Sequence, residues 1–236
     1  MHKVVDFIKK NKQFSFFLLL VILLALITIF APVIAPQDPY ASDLKNALQP
    51  PSSDHWFGTD KLGRDIFSRV IYASRSSLPA TLILVALIFV IGTLLGTLAG
   101  YFGGWIDAVI MRISDMMISF PGMVLAIAVA GIMGASVKNA VIAVAVVSWP
   151  KYARLARSLV MKIRHEDYIY AAIVTGSKTS YILRKYMLPN ISTTLIITAA
   201  TDIGGMMLEL AGLSFLGFGA KAPAAEWGLM LNEGRT

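Results

Sequence analysis

Residues 167–190 read DYIYAAIVTGSKTSYILRKYMLPN and stand between two long apolar runs. In so hydrophobic a chain, a break built from small residues, one glycine and clustered Lys and Arg needs a physical reason. Composition narrows it first. Hydrophobic residues make up 56% of the 236, charged residues only 15%, and mean hydropathy is +0.69, which sets the chain apart from ordinary soluble domains. The absence of cysteine excludes disulfide frameworks, cysteine-ligated zinc and thiol catalysis. The net charge of +7 does not point to nucleic acid, because the basic residues lie in the gaps between apolar segments. There they report orientation in a lipid bilayer and contact with its headgroups.

About 20 mostly apolar helical residues cross the hydrocarbon of a bilayer. Five stretches are expected to do so: Phe16 to Ile34, Leu78 to Ala99, about Ile106 to Ile132, Asn139 to about Leu159, and Ile191 to about Phe218. The expected fold class is therefore all-α, a polytopic membrane helical bundle. The first stretch is read as an anchor, since it is too long for a cleavable signal and no small-residue cleavage pattern follows it. With the N-terminus inside, thirteen of the 21 Lys and Arg face the cytoplasm, among them Lys3, Lys9, Lys10 and Lys12. The organisation expected is a cytoplasmic tail over 1–15, an anchor helix over 16–36, an extracytoplasmic loop over 37–77, and a core over 78–236 that includes a cytoplasmic loop at 160–190.

The extracytoplasmic loop opens with the turn-forming PQDPY and QPPSSD. Ile66, Phe67, Val70 and Ile71 then recur at helical spacing opposite Arg64, Asp65, Ser68 and Arg69, which predicts an amphipathic helix lying along the interface. Asp54, His55, Asp60 and Asp65 fit no metal-site spacing and read as capping or turn residues.

Catalytic motifs are missing. The piece GSKTS at 176–180 ends like a phosphate-binding loop, but Ser177 separates Gly176 from Lys178 and no glycine stands at the first position of G-x-x-x-x-G-K-[ST]. A membrane helix, not a buried strand, precedes it. No H-E-x-x-H or G-x-S-x-G occurs. No catalytic residue and no metal ligand set is assigned, and the chain is read as a non-enzyme without a nucleotide site.

By the charge count the opening stretch faces the cytoplasm. Asp167 to Val174 has helical composition, Gly176 supplies a break, and Thr179 to Met187 predicts a second short helix stopped by Pro189. Ala171, Ala172 and Gly176 make a low-relief knuckle that another protein could approach closely, with Lys178, Arg184 and Lys185 adding charge attraction at its rim. A plain basic helix pair on the membrane surface fits the composition equally well.

The order and spacing of Ala171, Ala172, Gly176, Leu188 and Pro189 resemble the cytoplasmic coupling loop of permease subunits of ATP-binding-cassette importers. That family carries a glutamate where this chain has Tyr170. GTDKLGRDIFSR, AGYFGGWIDAVIMRISDMMISFP and LSFLGFGAKAPAAEWGLML extend the resemblance over roughly residues 55–235, to the second permease subunit of the peptide/nickel branch. Within that branch, TDIGGMMLELAGLSFLG is closer to nickel-importer permeases, which also lack the loop glutamate. The resemblance implies half of a translocation path for nickel or a transition-metal chelate in a bacterial or archaeal cell membrane. The alternatives are a dipeptide or oligopeptide importer permease of the same architecture, and a gradient-driven secondary transporter, for which no internal repeat of spans is found. Partners implied are a second permease subunit, two ATPase subunits that use ATP and Mg, an extracytoplasmic solute-binding protein and the lipid bilayer, with no nucleic acid and no cofactor in this chain. The family fold has six spans, so the sequence ending at Thr236 is expected to lack the last.

Ionisable residues inside spans suggest function. Asp202 and Glu209 lie two turns apart on one face of the fifth span, which borders the translocation path in the related permeases. With Met206 and Met207 they are the candidate path residues for a cationic or chelated solute, although each carboxylate could instead be satisfied by a partner on another helix. Methionine in a helix interface is more often packing than ligand. Arg112 and Asp115 can pair on one helix face. Gly92, Gly96 and Gly100 offer a flat stripe for close packing against the partner permease or a neighbouring span. Trp56, Trp105, Trp149 and Trp227 fall near the expected interfaces.

Overall fold

The computed structural model describes residues 10–235; Lys3, Lys9 and most of the expected N-terminal tail lie outside the described residues. Every regular element of length is a helix, and the described residues hold no strand beyond the isolated bridge between Thr59 and Asp65. The all-α expectation holds. The helices are α1 (Lys12–Ile34), α2 (Ile66–Phe102), α3 (Gly104–Ile118), α4 (Gly122–Met133), α5 (Val137–Ile163), α6 (Asp167–Val174), α7 (Thr179–Phe215) and α8 (Trp227–Glu233).

Three of these, α1, α2 and α7, are long and apolar enough to cross a membrane, and α3 with α4 makes a fourth if the bent pair counts as one. This differs from the five separate spans expected. The third does not run straight: α3 and α4 meet at 94° across Ser119–Pro121. Pro121 cannot donate a backbone N–H and pushes Phe120 out of the helical region. The fourth, α5, is 27 residues long, but Lys151, Arg154, Arg157 and Lys162 interrupt its apolar character.

Two compact units emerge, residues 10–78 with 222–235, and residues 79–221. In the first, the expected amphipathic helix forms, but with its polar side inward. Arg64 and Arg69 are buried, and Ile66, Phe67, Val70 and Ile71 are only half-buried. The arginines can be buried because their carboxylates come with them. Arg64 Nε donates to Asp60 at 2.7 Å and Nη2 to Glu233 at 2.8 Å, while Arg69 Nη2 donates to Glu233 at 3.0 Å and Nη1 to the Pro39 carbonyl at 3.2 Å. Asp60 and Asp65 take the turn and capping roles expected: Asp60 accepts the N–H groups of Leu62 and Arg64, and Asp65 accepts that of Ser68 at 2.7 Å. Asp65 also meets His55 Nδ1 at 3.0 Å. Glu226 caps α8 through the N–H groups of Gly228 and Leu229.

In the second unit α5 is the axis, packed by α3, α4 and α7. The glycine stripe of α2 lies on α5 of the same chain. A Cβ at Gly92 would stand 2.7 Å from the Trp149 carbonyl, one at Gly96 2.8 Å from Ala156 Cβ, and one at Gly100 2.8 Å from the Arg157 carbonyl. Trp149 is accordingly buried in this contact, while Trp56 and Trp105 are exposed. Leu84, Ile88, Val144, Tyr152, Leu195 and Leu213 fill the core between these helices.

Candidate functional site

The stretch 164–190 turns the chain from α5 into α7. Ile169 and Ala172 of α6 are buried in the same core as Ile182 and Met187 of α7, so the knuckle is anchored from two sides. Its other face is open. Tyr170, Ala171 and Ile173 are exposed, and Val174 is 87% exposed. The corner closes through Gly176 at φ +78°, a left-handed conformation that glycine adopts without strain. Its N–H donates to the Ile173 carbonyl and that of Ser177 to the Ala172 carbonyl, both at 3.0 Å, which satisfies the last carbonyls of α6. No atom outside its immediate chain neighbours lies within 4 Å of where a Gly176 side chain would start. Tyr170, at the position of the family's glutamate, places its hydroxyl 2.9 Å from His165 Nδ1. Ser177, Lys178, Ser180, Tyr181 and Arg184 line an open hollow of about 490 Å³ beside the corner. Lys185 donates to the Tyr181 hydroxyl at 2.5 Å.

The second helix of the knuckle does not stop at Pro189. It widens into a π-turn over Leu183–Met187 and continues as α7 to Phe215. Proline lacks the N–H a regular turn would need, and the wider turn accommodates its ring without ending the helix. Leu188 and Pro189 therefore lie in the first part of a long lever, not at its end.

The candidate path residues fall on α7 beside α5. Lys151 donates to both oxygens of Asp202 at 2.7 Å, and the Tyr152 hydroxyl donates to Asp202 Oδ2 at 2.9 Å. The Asp202 side chain is 14% exposed and that of Lys151 56%. Glu209 is half-buried and within electrostatic reach of both. Met206 is buried in the core and Met207 half-buried. Gly204, Gly205 and Leu208 face outward on the same helix, and beyond their chain neighbours and the helix's own neighbouring backbone no atom lies within 4 Å of either glycine's missing side chain.

Asp115 does not pair with Arg112. It takes Arg154 of α5 at 2.5 Å, and Asp107 takes Arg157 through two bonds, both at 2.5 Å. Sequence spacing favoured the local pair; the helix packing offered a better one. Lys151, Arg154 and Arg157 stand three apart, the spacing that makes α5 basic on one face after Pro150.

Residues 92–235 match the family described as binding-protein-dependent transport system inner membrane component, and residues 3–51 match the N-terminal transmembrane domain of oligopeptide transport permease C. The chain is 44% identical to the dipeptide transport system permease protein of Alkalihalophilus pseudofirmus, over 97% of this chain and 75% of that protein. It is 40% identical to the nickel transport system permease protein of Escherichia coli, over 92% and 79%. It is 43% identical to the glutathione transport system permease protein of Pectobacterium atrosepticum, over 92% and 73%.

Proposed function

Because the chain belongs to the binding-protein-dependent transport system inner membrane component family, as a permease of the ATP-binding-cassette importer class, we propose that it forms half of a path for short peptides. Relatives named for dipeptide, D,D-dipeptide and glutathione transport support the peptide reading over the nickel reading that the sequence motifs favoured. One structural observation carries it further: Asp202, the residue read as a cation site, is already neutralised by Lys151. A bare divalent cation would have to displace an ammonium from it. Met206 lies in the core, away from any open face, so its sulfur supports packing.

In this reading a second permease subunit completes the path and a solute-binding protein delivers peptide from outside. Two ATPase subunits, which use ATP and Mg, dock on the cytoplasmic knuckle. The knuckle suits that task because Ile169 and Ala172 tie it to the core while Tyr170, Ala171, Ile173, Val174 and Lys178 are exposed. A push on α6 reaches α5 and α7 through the covalent chain on both sides, and reorients the helices for alternating access. The test is uptake of labelled dipeptide and of labelled nickel in cells with and without the chain. Dipeptide uptake that depends on the chain is expected; dependence of nickel uptake alone would return the nickel reading.

A further inference from the structure

Between α5 and α7 the helical unit holds an ion pair that the transport function does not by itself explain. Lys151 lies midway along α5 and Asp202 beyond the midpoint of α7, so the pair links the two helices well inside their lengths. The Lys151 side chain is half-exposed, and a charged ammonium is stable on that open side only against water or protein. A purely structural bridge would gain from being closed on both sides. This one is lopsided: the carboxylate is enclosed and held by Tyr152 as well, while the ammonium is presented outward. A second carboxylate, Glu209, lies within electrostatic reach. One ammonium thus stands with two carboxylates.

We infer that the Lys151–Asp202 pair is an exchangeable lock in the path that selects solutes carrying both a free ammonium and a free carboxylate. The inference rests on the peptide reading above. Opening the pair without replacement would leave a carboxylate enclosed and uncompensated, which is strongly unfavourable. A zwitterion supplies both replacements at once. Its carboxylate takes the Lys151 ammonium, its ammonium takes Asp202 with Glu209 nearby, and the charge of the site is unchanged. A solute with only one of the two groups strands the other half of the pair. Tyr152 keeps Asp202 in place during the exchange, because its hydroxyl bonds Oδ2 independently of Lys151.

The test uses the whole importer in proteoliposomes, with its partner permease, ATPases and binding protein, and three solutes: alanyl-alanine, its C-terminal amide and its N-acetyl derivative. The binding protein's own preference is common to all variants and cancels when selectivity ratios are compared with wild type. Lys151→Gln is expected to lower the preference for the free dipeptide over the amide by about tenfold, with less effect on the N-acetyl ratio. Asp202→Asn is expected to do the reverse, and Lys151→Arg to retain both ratios. Asp202→Asn also stands alone if Lys151→Gln fails to assemble. Equal slowing of all three solutes by either variant would overturn the lock and leave only a structural bridge. If the wild-type importer carries nickel and none of the peptides, the peptide reading itself falls; if it carries peptides with ratios that the variants do not move, only the lock falls.

Discussion

Gly176 holds a left-handed backbone in open surroundings, and those two facts separate the effects of its replacements. A residue with a Cβ bears about 1–2 kcal/mol of strain there, and asparagine bears the least. Gly176→Asn is therefore expected to keep transport close to wild type. Gly176→Trp should abolish dipeptide uptake at unchanged membrane levels, because the ring projects from the exposed face and holds a docked ATPase away. Normal uptake by the tryptophan variant would remove the joint from the mechanism. Glu233 is the opposite case, a residue whose value is internal. With Asp60 it is one of two carboxylates that the buried guanidinium groups of Arg64 and Arg69 share. Glu233→Ala leaves Asp60 as the one carboxylate among their described ion-pair partners, and should cost about 3–5 kcal/mol. A lower thermal midpoint of the purified complex, with faster proteolysis within 37–77, would register it; an unchanged midpoint would show the cluster to be dispensable.

Among the helices, the glycine stripe gives the sharpest expectation. Gly96 meets the Ala153 backbone, which cannot rotate away as a side chain can. Gly96→Leu should destabilise by about 3 kcal/mol, the upper end for overpacking, while Val90→Leu on the exposed side of the same helix should be near neutral. Thermal denaturation of the two variants in detergent compares them directly. The stripe was legible in the sequence as a packing face, because spacing by four places glycines on one side of any helix. Its partner was not, since nothing local tells a neighbouring span from another subunit. The same limit governed Asp115, whose local partner Arg112 lost to Arg154 of a distant helix. Pro189 misled for a different reason. Proline forbids a regular turn but not a π-turn, and hydropathy cannot distinguish a helix that stops from one that widens and continues. The inverted polarity of the helix at Ile66 was hidden likewise: Asp60 is four residues from Arg64 and readable, but Glu233 arrives from the far end of the chain.

For the molecule as a whole, the expectation that remains open to direct measurement is its orientation. The chain has no cysteine, so a single introduced thiol reports without background. Ser177→Cys should react with a membrane-impermeant maleimide only from the cytoplasmic side, and Ser53→Cys only from outside. Labelling of position 177 in intact cells would invert the molecule and end the coupling proposal. Fold class and the turn at Gly176 were written in local patterns of hydropathy and small residues. The ion pairs that tie α5 to α3 and α7 depend on three-dimensional neighbours.

Where the glycines of α2 meet α5, their main chain lies directly on the carbonyls of Trp149, Ala153 and Arg157 and on the Cβ atoms of Tyr152, Ala156 and Val160. Such a joint has almost no compliance. Few rotamer changes are available at such contacts, which makes this stretch of the two helices a stiff seam. The right-angled elbow between α3 and α4, by contrast, is a break in the helix that, among the described residues, no such seam braces along its length.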